Sequence, residues 1–203
     1  MPESVESIDV IRDRMEQVSG LMQQIEDSIQ EPDVAKELVT LGIKIRFPRG
    51  VITTARQFRS ILRCFDRTTR RNIGYALQLV DVLCWLLNRF DIGLSAKDMI
   101  VKVSLITLAS VAEAMIYDWL NYHCQTNPQL KPNKKFKKNI DKLYKHGIIS
   151  ADLKDRLHDL RKKRDNIHLH RLSDWELGKY DIKDHNEALK ALHDLKEVLY
   201  NAS

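Results

Sequence analysis

The sequence predicts an all-α protein: a bundle of four to five helices with an additional helical extension at its N-terminus. Three observations lead there. Apolar residues recur at spacings of three and four along most of the 203 residues. No segment shows the strict alternation of a half-buried strand. Only 7 Gly and 5 Pro punctuate the chain, so the elements are long and the turns few. With 30% charged and 43% hydrophobic residues the composition suits a globular helical protein and argues against disorder. The length allows one large domain, or a small domain plus an extension.

The N-terminal extension, residues 1–70, begins with an amphipathic helix over 5–30. Ile8, Ile11, Met15, Val18, Met22, Ile25 and Ile29 form a heptad seam, and Pro32 ends it. A seam this narrow packs on the body of the protein or against a second chain, and the residues leave both open. Residues 33–43 read as helical again, and "FPRG" at 47–50 as a turn. Thr54 with Gln57 is a capping-box pattern that opens a basic helix over 54–70. Arg56, Arg59, Arg63, Arg67 and Arg70 share one face if that helix runs through. Phe58, Leu62 and Phe65 take the other.

The bundle, residues 71–203, has two apolar helices at 72–90 and 96–123. The second is apolar around most of its circumference, as a central helix is. Val101, Leu105, Leu108, Ala112, Met115 and Trp119 make its seam, and Val103, Ile106 and Ile116 widen it. Glu113 and Tyr117 lie on its more polar side, where Glu113 faces either solvent or a site. A loop, "NPQLKPNKKFKKN", leads into a basic helix at 134–146 that ends at His146-Gly147. Ser150 caps the next helix, with Asp152 in its first turn, and that helix reaches about residue 168. After a loop at 172–181, Asp184 with Glu187 opens a last helix with the seam Ala188, Leu192, Leu195 and Leu199.

Charge is concentrated. The formal net charge is +5, but residues 38–71 carry nine basic side chains against one acidic. Residues 131–171 carry fourteen against five. Two basic blocks around a near-neutral apolar one point to a polyanionic partner or substrate. Cys64, Cys84 and Cys124 are odd in number, widely spaced and set in apolar stretches, so they read as buried free thiols. No CxxC or HExxH spacing occurs, and no metal is expected. No basic-then-apolar leader opens the chain, and no apolar run is read as a membrane span, the longest candidate being "LVDVLCWLL". The expectation is a soluble, cytoplasmic protein with no membrane partner.

"LRKKRDNIHLH" at 160–170 carries the sharpest question. Leu153, Leu157, Leu160, Arg164 and Ile167 form one seam, so Arg164 occupies an apolar position. A guanidinium facing a bundle needs a carboxylate, a carbonyl or a bound anion, since burying it unpaired costs several kcal/mol. His168 lies one turn on, and His170 a third of a turn away. The bland reading is an internal salt bridge, with histidines at a helix C-terminus.

Residues 136–170 resemble the core of the HEPN superfamily, the higher-eukaryote and prokaryote nucleotide-binding helical bundles. The resemblance rests on a short helix, a "GII" turn, a Leu-repeat helix, and then Arg, a polar residue and a His after four to six residues. Arg164 matches the Arg, Asp165 the polar neighbour, and His170 the His, with five residues between. His168 is too close to Arg164 for that spacing, although Arg161 to His168 also fits. "ASVAEAMIYDWL" resembles the family's central helix and residues 184–200 its closing one. The likeness covers roughly 72–200 and leaves the first 70 residues unmatched.

The resemblance implies a four- or five-helix bundle that dimerises so that two Arg/His pairs face one cleft. It implies a metal-independent endoribonuclease of phage defence, toxin or stress response, needing no cofactor. The residue types suit that chemistry. RNA carries its own 2′-OH nucleophile, a His near neutrality moves the proton, and an Arg fork meets charge building on phosphate. Asp165 would orient the Arg or the His. The arginines of 56–70, with Lys162 and Lys163, would hold RNA by its phosphates. Members paired with a nucleotidyltransferase antitoxin carry a Tyr two residues after the His. Arg171 and Leu172 follow His170 here, so that regulation is not supported. The alternative is a non-catalytic adaptor that binds a partner protein, nucleotide or RNA, with the heptad helix as its handle.

Overall fold

The computed structural model describes residues 7–29, 33, 37, 40, 41, 52–165 and 180–201. Contacts divide the chain into residues 1–48 and 49–203. Among the described residues every regular element is helical. The all-α class therefore holds.

The first unit contains helix α1, Ile8–Ile29. Its start is marked by Ser7, whose hydroxyl accepts from the Val10 amide at 3.4 Å. The seam residues Ile8, Ile11, Met15, Val18 and Ile25 are each more than two-fifths exposed.

The second unit comprises α2 (Ala55–Ile61), α3 (Arg67–Arg89), α4 (Leu94–His123), α5 (Phe136–Lys145), α6 (Ala151–Asp165) and α7 (Ile182–Lys196). A 3-10 turn at Pro128–Leu130 precedes α5, and a wider final turn, Glu197–Asn201, follows α7. The core forms around α4, which packs against α3, α5, α6 and α7. Val101, Leu105, Leu108, Ala112, Met115, Ile116 and Leu120 are at most 1% exposed. Burying each large side chain among them contributes about 1.5–3 kcal/mol. By length and composition the stretch Ser95–His123 would suffice to cross a membrane, and half of its most apolar window is buried inside the bundle. The longest apolar segment thus lies in α4, not in "LVDVLCWLL" of α3. Val103, expected to widen the buried seam, is instead 44% exposed.

The termini follow the expected chemistry. Thr54 and Gln57 form the capping box of α2. Gly147, at φ 69°, ends α5 in the left-handed region, where its amide donates to the Tyr144 carbonyl at 2.9 Å. Ser150 Oγ accepts from the Leu153 amide at 3.2 Å and caps α6. The last helix starts earlier than expected, because Asp181 and Asp184 make its capping box rather than Asp184 and Glu187.

The single basic helix expected over 54–70 is corrected: α2 stops at Ile61 and α3 starts at Arg67. Leu62 is extended (φ −93°, ψ 129°). From there side chains alternate, with Leu62 and Cys64 buried and Arg63 and Phe65 outside. The break has a cause on another helix. Asp118 of α4, only 5% exposed, accepts from the amides of Phe65 and Asp66, both at 2.8 Å. Asp66 then caps α3, accepting from the Thr69 amide at 2.6 Å. Chain reversal lets α2 lie against α3, and Gly74 makes the approach close, since a Cβ there would stand 2.8 Å from the Ala55 carbonyl oxygen. The described residues 52–70 thus fall in the same contact unit as the bundle helices.

Candidate functional site

Arg164 emerges in the last turn of α6 and points inward. Its guanidinium pairs with the carboxylate of Glu113 on α4. It also lies over the ring of Phe136 on α5, 5.4 Å from the centroid. The side chain keeps 22% of its exposure and Glu113 keeps 32%. The seam argument explains the orientation: Leu153, Leu157 and Leu160 are all buried, and Arg164 continues their row. Three helices thus converge on one half-buried ion pair. Glu113 also borders an open cavity of about 290 Å³ with Ser110, Tyr117, Asn133 and Lys134.

Asp165 pairs with Arg161, one turn back, and reaches Arg164 Nε only at 3.8 Å. His168 and His170 lie outside the described residues. Lys162 is exposed. Lys163 is tied into the bundle instead, pairing with Asp159 at 3.0 Å and with Asp184 of α7. Burial opposes its charge, yet the hydrogen bonds it donates to Asp184 and Asp159 hold its pKa above the ordinary lysine value.

The arginines expected on one helix face come together by a different route. Arg56 and Arg59 of α2 and Arg67, Arg70 and Arg71 of α3 line a groove of about 700 Å³. Ser60 and Thr68 add hydroxyls to it. Among the described residues none of the five guanidinium groups pairs with a carboxylate. Arg59 has an aromatic neighbour, Tyr75, at 6.0 Å. Five fixed cations facing one opening raise the local potential and favour an anion there. Arg63 does not join them. It sits on the linker and borders a separate cavity with Phe65 and Trp119.

Two residues, Asp118 and Arg71, carried no assigned role in the sequence, and Glu113 was left open between solvent and a site. The available signal was an acid in an otherwise apolar helix, which requires a partner when the helix is central. Of the three free cysteines only Cys64 is buried; Cys84 and Cys124 are half-buried. Cys84 Sγ lies 3.0 Å from Nε2 of His185, which is 2% exposed, and His185 Nδ1 meets Ser104 Oγ at 2.9 Å. Burial lowers the His185 pKa, so the ring is held neutral. Among the described residues no cluster of His, Cys, Asp and Glu is arranged to hold a metal ion.

No family model, curated protein or solved structure matches the chain.

Proposed function

We propose that the protein is a metal-independent endoribonuclease of HEPN type that binds RNA through its arginine groove. The observation that carries this reading is the position of Arg164. It lies in the last turn of α6, paired with Glu113 of the central helix, which itself borders an open cavity, and it precedes by a few residues the segment that contains His168 and His170. In the reaction the 2′-OH attacks the adjacent phosphorus and the P–O5′ bond breaks. One His accepts the 2′-OH proton, and the departing 5′-oxygen gains a proton from a protonated His. The products carry a 2′,3′-cyclic phosphate and a 5′-OH. Arg164, released from or shared with Glu113, would donate to the phosphoryl oxygens as charge builds there. The groove supplies sequence-independent grip on the backbone. A homodimer would bring two such sites together, and the exposed α1 seam offers a second copy a surface to pair with.

The test is cleavage of mixed RNA in the presence of EDTA, comparing wild type with Arg164→Ala, His168→Ala and His170→Ala, with end groups analysed. Cleavage that survives EDTA, leaves cyclic phosphates and disappears with Arg164→Ala supports the enzyme and identifies its His. Absence of cleavage by folded protein overturns it in favour of a second reading, a non-catalytic RNA-binding adaptor. That reading has its own support. The Glu113 carboxylate already satisfies Arg164, and the five-arginine groove is built without any residue of the Arg164 site.

A further inference from the structure

The linker between α2 and α3 does more than connect two rows of arginines. Its outward side chains, Arg63 and Phe65, border a cavity of about 480 Å³ whose other walls include Trp119 and His123 of α4. The walls are aromatic and fixed. Phe65 stacks on Tyr122 with centroids 3.7 Å apart and planes 4° from parallel. Trp119 and His123 lie 4.0 Å apart, and His123 meets Phe65 edge-on at 5.6 Å. Val198, Leu199 and Tyr200 complete the cavity from the C-terminal turn.

Two further observations say what such a cavity takes. The His123 ring has aromatic neighbours but no hydrogen-bond partner among the described residues, so its nitrogens are open to a ligand. Desolvation lowers its pKa and keeps the ring neutral near pH 7, which suits stacking and a single donor–acceptor edge. Among the described lining residues charge is supplied by Arg63, on the extended linker four residues after the groove residue Arg59 and four before Arg67. An apolar aromatic cavity of this size, with one cation at its edge and the groove arginines on either side of that cation along the chain, matches a flat base joined to a phosphate chain. A duplex buries its bases in the stack and cannot offer one.

We propose that this cavity holds one unstacked base of a single-stranded RNA whose neighbouring phosphates lie in the five-arginine groove. The inference rests on the RNA-binding part of the function proposed above and is independent of cleavage. It predicts a preference for single strands, which the groove alone does not confer.

The experiment is fluorescence anisotropy with a labelled 12-nucleotide oligouridine and oligoadenosine, and with a duplex RNA of the same length, over a range of salt. The full-length chain is compared with Phe65→Ala, with Val198→Phe, which fills the cavity, and with Arg56→Gln/Arg70→Gln. Circular dichroism melting checks that each variant is folded. Wild type should bind single strands more tightly than duplex. Phe65→Ala and Val198→Phe should each weaken single-strand binding by about tenfold, leaving duplex affinity and the salt slope unchanged. The groove variant should reduce the salt slope instead. Single-strand binding unaltered in both cavity variants overturns the proposal while leaving RNA binding in place, and so does equal affinity for duplex. No binding of either RNA by wild type overturns the RNA reading itself. Tighter binding of an acidic peptide than of RNA, lost in the same cavity variants, overturns it in favour of a protein partner.

Discussion

Replacing Asp118 by Asn tests whether one carboxylate on the central helix determines where the arginines go. Asp118 accepts three hydrogen bonds: from the Phe65 and Asp66 amides at 2.8 Å and from the Tyr200 hydroxyl at 3.1 Å. The Asn amide has one oxygen. It can serve one backbone N–H, while its NH2 group faces the other donor. The substitution therefore removes one charge-assisted hydrogen bond, worth about 1.5–3 kcal/mol, and leaves a partly buried N–H unsatisfied at about 1–3 kcal/mol. These overlap, so the expected loss is about 2–4 kcal/mol. For a protein of this size a 3 kcal/mol loss lowers Tm by about 6–12 °C. Tyr200→Phe is the control, because it removes only a donor that also reaches the Met115 carbonyl at 3.2 Å, and should cost about 1 kcal/mol. Urea titration at neutral pH measures both. The Asn variant should also bind RNA with a shallower salt slope, because the turn that sets α2 against α3 is loosened. A loss no larger than that of Tyr200→Phe, with an unchanged slope, would refute the claim that Asp118 sets the turn.

Other expectations follow from single contacts. Gly74→Val should destabilise the protein by about 1–3 kcal/mol in the same titration, because its side chain meets the Ala55 carbonyl and Arg59 Cγ at 2.8 Å. His185 has its pKa lowered on folding, so the unfolded chain binds this proton first as pH falls. Stability from this group is complete above about pH 6.5 and is lost as pH drops toward the folded pKa. Thermal melts should fall across that window, and His185→Gln should flatten the dependence. Glu113→Gln should cost no more than about 1 kcal/mol, since both partners of the Arg164 pair are partly exposed, yet it should change cleavage measurably by freeing the guanidinium. Val18→Glu should lower the sedimentation coefficient if α1 pairs with a second copy, because it places a charge in the middle of the seam.

Local patterns announced much of this protein. The apolar circumference of 96–123 marked α4 as central, and the row Leu153, Leu157, Leu160 placed Arg164 toward the bundle. Thr54 with Gln57, Ser150 and Gly147 announced their helix ends, because capping is settled by residues a turn apart. The arginine stripe was visible as a charge pattern, but its geometry was not. Whether Arg56 and Arg70 share a helix face or face each other across a groove depends on Asp118, some fifty residues away, and on the missing side chain of Gly74. The same holds for Glu113. In sequence it is an acid on the polar side of an apolar helix, and only the packing of α6 against α4 brings Arg164 to it. Periodicity determines which face of a helix is apolar, since that depends on residues three and four apart. Which charged side chains meet is decided by the contact of separate helices, and that contact belongs to the tertiary structure alone.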